Sequence, residues 1–152
     1  MVEGIGRSRR RRLVMLAAER ARDPKIIEKL AADGTDFNLS GDEGYSPLDF
    51  AATHNPNPEV VRAIIRAALG PDPKDEDLEV YALMAAYSNP NPKVLAVLLE
   101  SGFDPDGGRW TIDDLLRAAA FENTNPEVVK MLLARGAGIN SRGEDEIGRA
   151  HV

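Results

Sequence analysis

The sequence predicts an all-α solenoid of stacked helix pairs, and three periodic features carry that prediction. A proline recurs at Pro24, Pro58, Pro92 and Pro126, 34 residues apart each time. An Ala-Ala pair keeps the same spacing, at Ala17-Ala18, Ala51-Ala52, Ala85-Ala86 and Ala119-Ala120. Gly34, Gly102 and Gly136 share a further equivalent position. Self-similarity at a period of about 20–50 residues marks a chain of units, none of which buries its apolar face alone. Such units stack into an elongated surface.

Within one unit the first helix carries the Ala-Ala pair, whose small side chains let neighbouring helices approach closely. Asn55, Asn89 and Asn123 follow it in three units, and asparagine is the usual substitute for glycine in a left-handed helix ending. The second helix starts at each proline. Asp23, Asn57, Asn91 and Asn125 precede the prolines as N-caps, and proline at the next position gives up an N–H that had no partner anyway. Ile26, Ile27 and Leu30 then keep helical spacing, as do Val60, Val61, Ile64 and Ile65; Val94, Leu95, Leu98 and Leu99; and Val128, Val129, Leu132 and Leu133. The three glycines end these helices. In the second unit Ala68 takes their place and Gly70-Pro71 follows, which predicts a helix about half a turn longer.

Gly/Asp/Pro-rich stretches such as 34–44 and 102–108 join one unit to the next. The expected order is short helix, tight loop, longer helix, extended hairpin-like turn. A tetratricopeptide array shares the 34-residue period, but the long connector and missing aromatic pattern argue against it. In the third and fourth units the first helix is expected near Asp75 or Asp77 and near Thr111, with Thr111 and Asp114 as a capping-box variant.

Composition narrows the function. An apolar content of 43% supports a continuous core, and with no cysteine the chain has no disulfide or thiolate metal site. The net charge of −6 argues against general nucleic-acid affinity. No apolar run reaches the roughly 18–20 residues of a membrane span, and Leu13–Ala18 is too short for a secretory signal. His54 and His151 fall on different repeats without metal-ligand spacing, so no metal or cofactor is expected. Ser46, Asp49 and His54 could form a triad on paper, but Ser46 suits a cap, and residues five apart on one helix do not face each other. Gly4-Ile5-Gly6 lacks the rest of a phosphate loop. The acidic runs Asp42-Glu43, Asp75-Glu76-Asp77 and Asp113-Asp114 suit capping and solubility. No enzyme is expected.

The segment Gly44-Tyr45-Ser46-Pro47-Leu48-Asp49-Phe50-Ala51-Ala52 resembles the Gly-x-Thr-Pro-Leu-His-x-Ala-Ala signature of ankyrin repeats. Residues 98–106 and 132–140 resemble the family's second-helix and Gly-Ala-Asp-Val-Asn ending. Asp49 stands where the family has histidine, and the third and fourth units lack the Thr-Pro-Leu-His segment. The resemblance implies an ankyrin-type domain over residues 8–142, with repeats at about 8–40, 41–74, 75–108 and 109–142. A basic arm, 1–7, precedes it and a tail, 143–152, follows; there Ile147 and Val152 are candidates to cover the last helix.

The resemblance also implies a concave face built from turn tips and first helices. By register it comprises Asp42, Glu43, Tyr45, Thr53 and His54; Glu76, Asp77, Glu79, Tyr87 and Ser88; and Trp110, Thr111, Asp113, Phe121 and Glu122. Aromatics there would anchor a protein partner, and carboxylates would steer a basic segment. The alternative is that Tyr87 and Phe121 pack against each other across the stack. The run Arg7, Arg9, Arg10, Arg11 and Arg12 resembles a localisation signal or a nucleic-acid contact. Arginines at a helix N-terminus would oppose the dipole. The expected protein is a monomeric, cytoplasmic protein-binding module, or a nuclear one if the arginines act as a signal. An engineered scaffold with no natural function is one alternative reading and nucleic-acid contact is another.

Overall fold

The computed structural model describes residues 2–40, 44–104 and 109–136, and these form eight α-helices with no strand among them. The helices are α1 (Val2–Arg20), α2 (Pro24–Ala32), α3 (Pro47–His54), α4 (Pro58–Leu69), α5 (Asp75–Ser88), α6 (Pro92–Glu100), α7 (Ile112–Glu122) and α8 (Pro126–Ala134). First helices pack in series as α1, α3, α5 and α7, and second helices as α2, α4, α6 and α8. The result is a two-layer solenoid with the core between the layers.

All four second helices begin at their proline. The preceding side chain caps each one, Asp23, Asn57, Asn91 and Asn125 accepting from the N–H two residues on at 2.9–3.0 Å. Gly34 and Gly136, at φ 88° and 91°, supply the expected left-handed residue. Gly102 has a second reason to be glycine, because a Cβ there would collide with the Pro73 carbonyl oxygen. The second-unit helix α4 has 12 residues against nine in α2, α6 and α8. Its extension is therefore nearly a full turn rather than half of one, ending at Gly70 with φ 85°.

The expected short-then-long order holds only in the second unit, where α3 has eight residues. Elsewhere the first helix is the longer, with 19, 14 and 11 residues in α1, α5 and α7. The acidic residues at the start of α5 and α7 explain part of this, since carboxylates in a first turn complement the dipole. Thr111 caps α7 as expected, its N–H donating to Asp114 Oδ2 at 2.8 Å. The first seven residues, expected as an arm, are continuous with α1 from Val2 onward. The arginine run thus sits in mid-helix, Arg9 lying about 10 Å along the axis from the helix start, and its conflict with the dipole is relieved. The hairpin tips at 41–43 and 105–108 and the tail at 143–152, with Ile147 and Val152, lie outside the described residues.

The asparagines that close the first helices do not adopt the left-handed ending expected of them. Asn55, Asn89 and Asn123 are extended, with φ of −83°, −80° and −73°, and no residue except glycine has positive φ among the described residues. Their side chains reach back into the preceding unit instead. Asn55 Nδ2 donates to the Ala18 and Ala21 carbonyls at 2.9 and 3.0 Å. Asn89 Nδ2 donates to Ala52 and Asn55 at 3.0 and 2.8 Å, and Asn123 Nδ2 to Ala86 and Asn89, both at 2.9 Å. A parallel set comes from the capping residues: Asn57, Asn91 and Asn125 donate to the Arg22, Pro56 and Pro90 carbonyls. Two ladders of asparagines therefore join each unit to the one before it.

Candidate partner-binding surface

Because the first helices lie side by side at a fixed 34-residue register, equivalent side chains form rows across them. One row runs Thr53, Tyr87, Phe121 and the next His54, Ser88, Glu122. Tyr45, Tyr87 and Phe121 are 47%, 40% and 82% exposed. Tyr87 and Phe121 make no ring contact with each other among the described residues, so mutual packing does not explain them.

Beside this row a cavity of about 280 Å³ opens between α3 and α5, lined by Tyr45, Asp49, Phe50, Thr53, His54 and Met84. The Tyr45 and Phe50 rings meet edge-on with centroids 6.1 Å apart, and Phe50 stacks on His54 at 6.5 Å. Asp49 holds its side of the cavity through the helix cap, Ser46 N–H donating to its Oδ2 at 2.6 Å. Phe50, Met84 and Asp49 did not figure in the expected surface. The register held the signal, since Leu16, Phe50 and Met84 repeat at 34 residues as large apolar side chains.

Other expected contacts are placed differently. Glu79 is buried, its Oε1 accepting from the Arg109 N–H at 3.1 Å, which ties the turn before α7 to α5. It holds the scaffold and is not a surface carboxylate. Trp110 is half-buried, with the Arg109 guanidinium carbon 5.8 Å from its ring centroid, so part of its face is already taken by a cation. Asp77 Oδ2 accepts from Lys74 N–H at 3.1 Å and Thr111 caps α7, which commits both to helix starts. Glu76, Ser88 and Glu122 are exposed, and Thr53 and Asp113 half-exposed. Asp42 and Glu43 lie outside the described residues. Arg9, Arg10, Arg11 and Arg12 are all exposed on α1, which also contains Arg7.

Among the described residues no group of three or more His, Asp or Glu side chains could hold a metal ion, and no helix is long and apolar enough to cross a membrane.

The family model for ankyrin repeats (three copies) matches residues 14–107 and again 50–143. With these matches covering most of the sequence, the chain belongs to the ankyrin-repeat family. Repeats of this family are generally protein–protein interaction modules and typically non-catalytic. A search of curated proteins finds no match.

Proposed function

We propose that the protein is a non-catalytic binding module whose first-helix face takes a partner segment bearing Lys or Arg beside an apolar side chain. The observation that carries this reading is the open row of Tyr87 and Phe121 alongside the Tyr45–Phe50–His54 cavity. A phenyl ring left 82% in water gains nothing for the folded monomer, whereas aromatics that become buried on binding are the side chains that concentrate binding energy. Glu122 beside the row, with Glu76 and Asp113 toward the other ends of α5 and α7, supplies attraction for a basic ligand. Tyr87→Ala is expected to weaken binding of a captured partner by at least about 2 kcal/mol, roughly 30-fold. Glu122→Gln is expected to slow association and flatten its salt dependence more than it speeds dissociation. A partner that binds the Tyr87→Ala/Phe121→Ala protein at full affinity would remove this surface from consideration.

The exposed arginines of α1 invite a test against nucleic acid. On a duplex-DNA column at about 0.15 M salt the intact protein is expected to elute unretained, because few phosphate contacts do not survive that ionic strength and the rest of the surface is acidic. Tight, salt-sensitive retention that disappears when Arg9–Arg12 become glutamine would instead establish nucleic-acid binding.

A further inference from the structure

The outer face of the first repeat carries an exposed apolar patch. Leu13, Leu16 and Ile26 are 55%, 48% and 48% exposed. The residues equivalent to Ile26 in the other units, Val60, Val94 and Val128, are fully buried. The patch is ringed by cations, with Arg9, Arg12, Arg20, Arg22 and Lys25 all exposed. Charge is divided along the chain in the same sense. Residues 1–30 hold nine Lys/Arg against four Asp/Glu, and residues 31–152 hold ten against twenty-one.

Another repeat of the same build does not fit this face. Each later unit grips its predecessor through two asparagine side chains, and the first unit has Ala21 and Asp23 at those positions. Alanine has no side-chain donor and an ionised aspartate only accepts, so the ladder has nothing to extend backwards. What does match the patch is an acidic surface with exposed apolar rings. This chain presents such rings itself, Tyr87 and Phe121 with Glu122 beside them on the first-helix face, within residues 31–152 where acidic residues outnumber basic ones.

We propose that the protein self-associates head to face, the Leu13–Leu16–Ile26 end of one copy docking on the Tyr87–Phe121 row of another. This rests on the reading of that row as a site for basic, apolar segments, and it names a second copy as an occupant. The contact joins two different surfaces, so it is heterologous and propagates into short open chains or closes into a ring. The charged part of the attraction is screened by salt.

Light scattering across a concentration series tests it on the whole protein. The weight-average mass is expected to climb above the monomer at about 0.05 M salt, and association to weaken at least tenfold at about 1 M, where the screening length is only about 3 Å. Two variants, Leu13→Glu/Ile26→Glu and Phe121→Ala/Glu122→Lys, change only exposed side chains and are each expected to stay monomeric with an unchanged helical spectrum. Mixed in equal amounts, they retain one intact head and one intact face between them and are expected to form a dimer and nothing larger. A mixture that stays monomeric while the wild type associates overturns the head-to-face geometry. Association that persists in either variant shows that the surface changed in it is not used. A wild type that is monomeric at every concentration overturns the inference outright, and titrating that sample with an Arg/Leu-rich peptide decides separately whether the face binds basic segments.

Discussion

Leu98→Ala is expected to destabilise the protein by about 2–5 kcal/mol, through lost burial and the cavity left behind. Leu98 is fully buried on α6, which packs between α4 and α8 and against α5. Its cavity therefore opens at the centre of the stack, where units on both sides depend on the contact. Stability in a solenoid is close to a sum of unit and nearest-neighbour terms, so one central deletion weakens two interfaces. At roughly 2–4 °C per kcal/mol for a chain of this size, the thermal midpoint should fall by about 5–20 °C. Leu133→Ala provides the control. That leucine is 42% exposed at the end of the stack, and its loss is expected to cost about 1 kcal/mol or less. Urea and thermal melts that give the two variants equal midpoints would show that burial rank along the repeat does not set stability.

The helix starts were legible in the sequence because they follow local rules. A proline at N1 behind an Asp or Asn cap needs no knowledge of the rest of the fold, and all four second helices begin where that pair puts them. Thr111 with Asp114 is legible for the same reason. The asparagines misled because one side chain can serve either a local helix ending or a distant carbonyl. Propensity favoured the first, and the structure uses the second. The signal lay in the first unit, where Ala21 and Asp23 stand in place of the two asparagines, so the pair is not a fixed part of every helix ending. Glu79 misled in a related way. Register with Tyr45 placed it on the surface, but the Arg109 turn, 30 residues later, folds over it. Exposure of Tyr87 and Phe121 was undetermined by sequence, since one spacing permits both a packed pair and an open row.

The largest polar effect is expected from Asn89→Ala. Asn89 is 1% exposed, donates to the Ala52 and Asn55 carbonyls and accepts from the Asn91 N–H at 3.0 Å. Alanine removes all these bonds and leaves a space too enclosed for bulk water to restore them. Stranding one buried polar group costs roughly 1–3 kcal/mol, and a total of about 3 kcal/mol is expected. Asn91→Ala sets the scale for comparison. Its side chain caps α6 and donates to Pro56 O from an exposed position, so water replaces part of what is lost and about 1 kcal/mol is expected. An Asn89→Ala cost no larger than that of Asn91→Ala would falsify the buried ladder as a major tie between units. Asn89→Asp sharpens the test, because it keeps the shape and turns a donor toward two carbonyl oxygens into a carboxylate. Those oxygens disfavour the charged form and raise the folded-state pKa above the unfolded value of about 3.9. The stability of this variant should then be greatest below that pH and fall as the pH rises through the folded value. At neutral pH it should be no more stable than Asn89→Ala, and the wild type should show no matching loss over the same interval. A flat pH profile for the variant would mean that the side chain swings out to water and that the stack closes without its ladder.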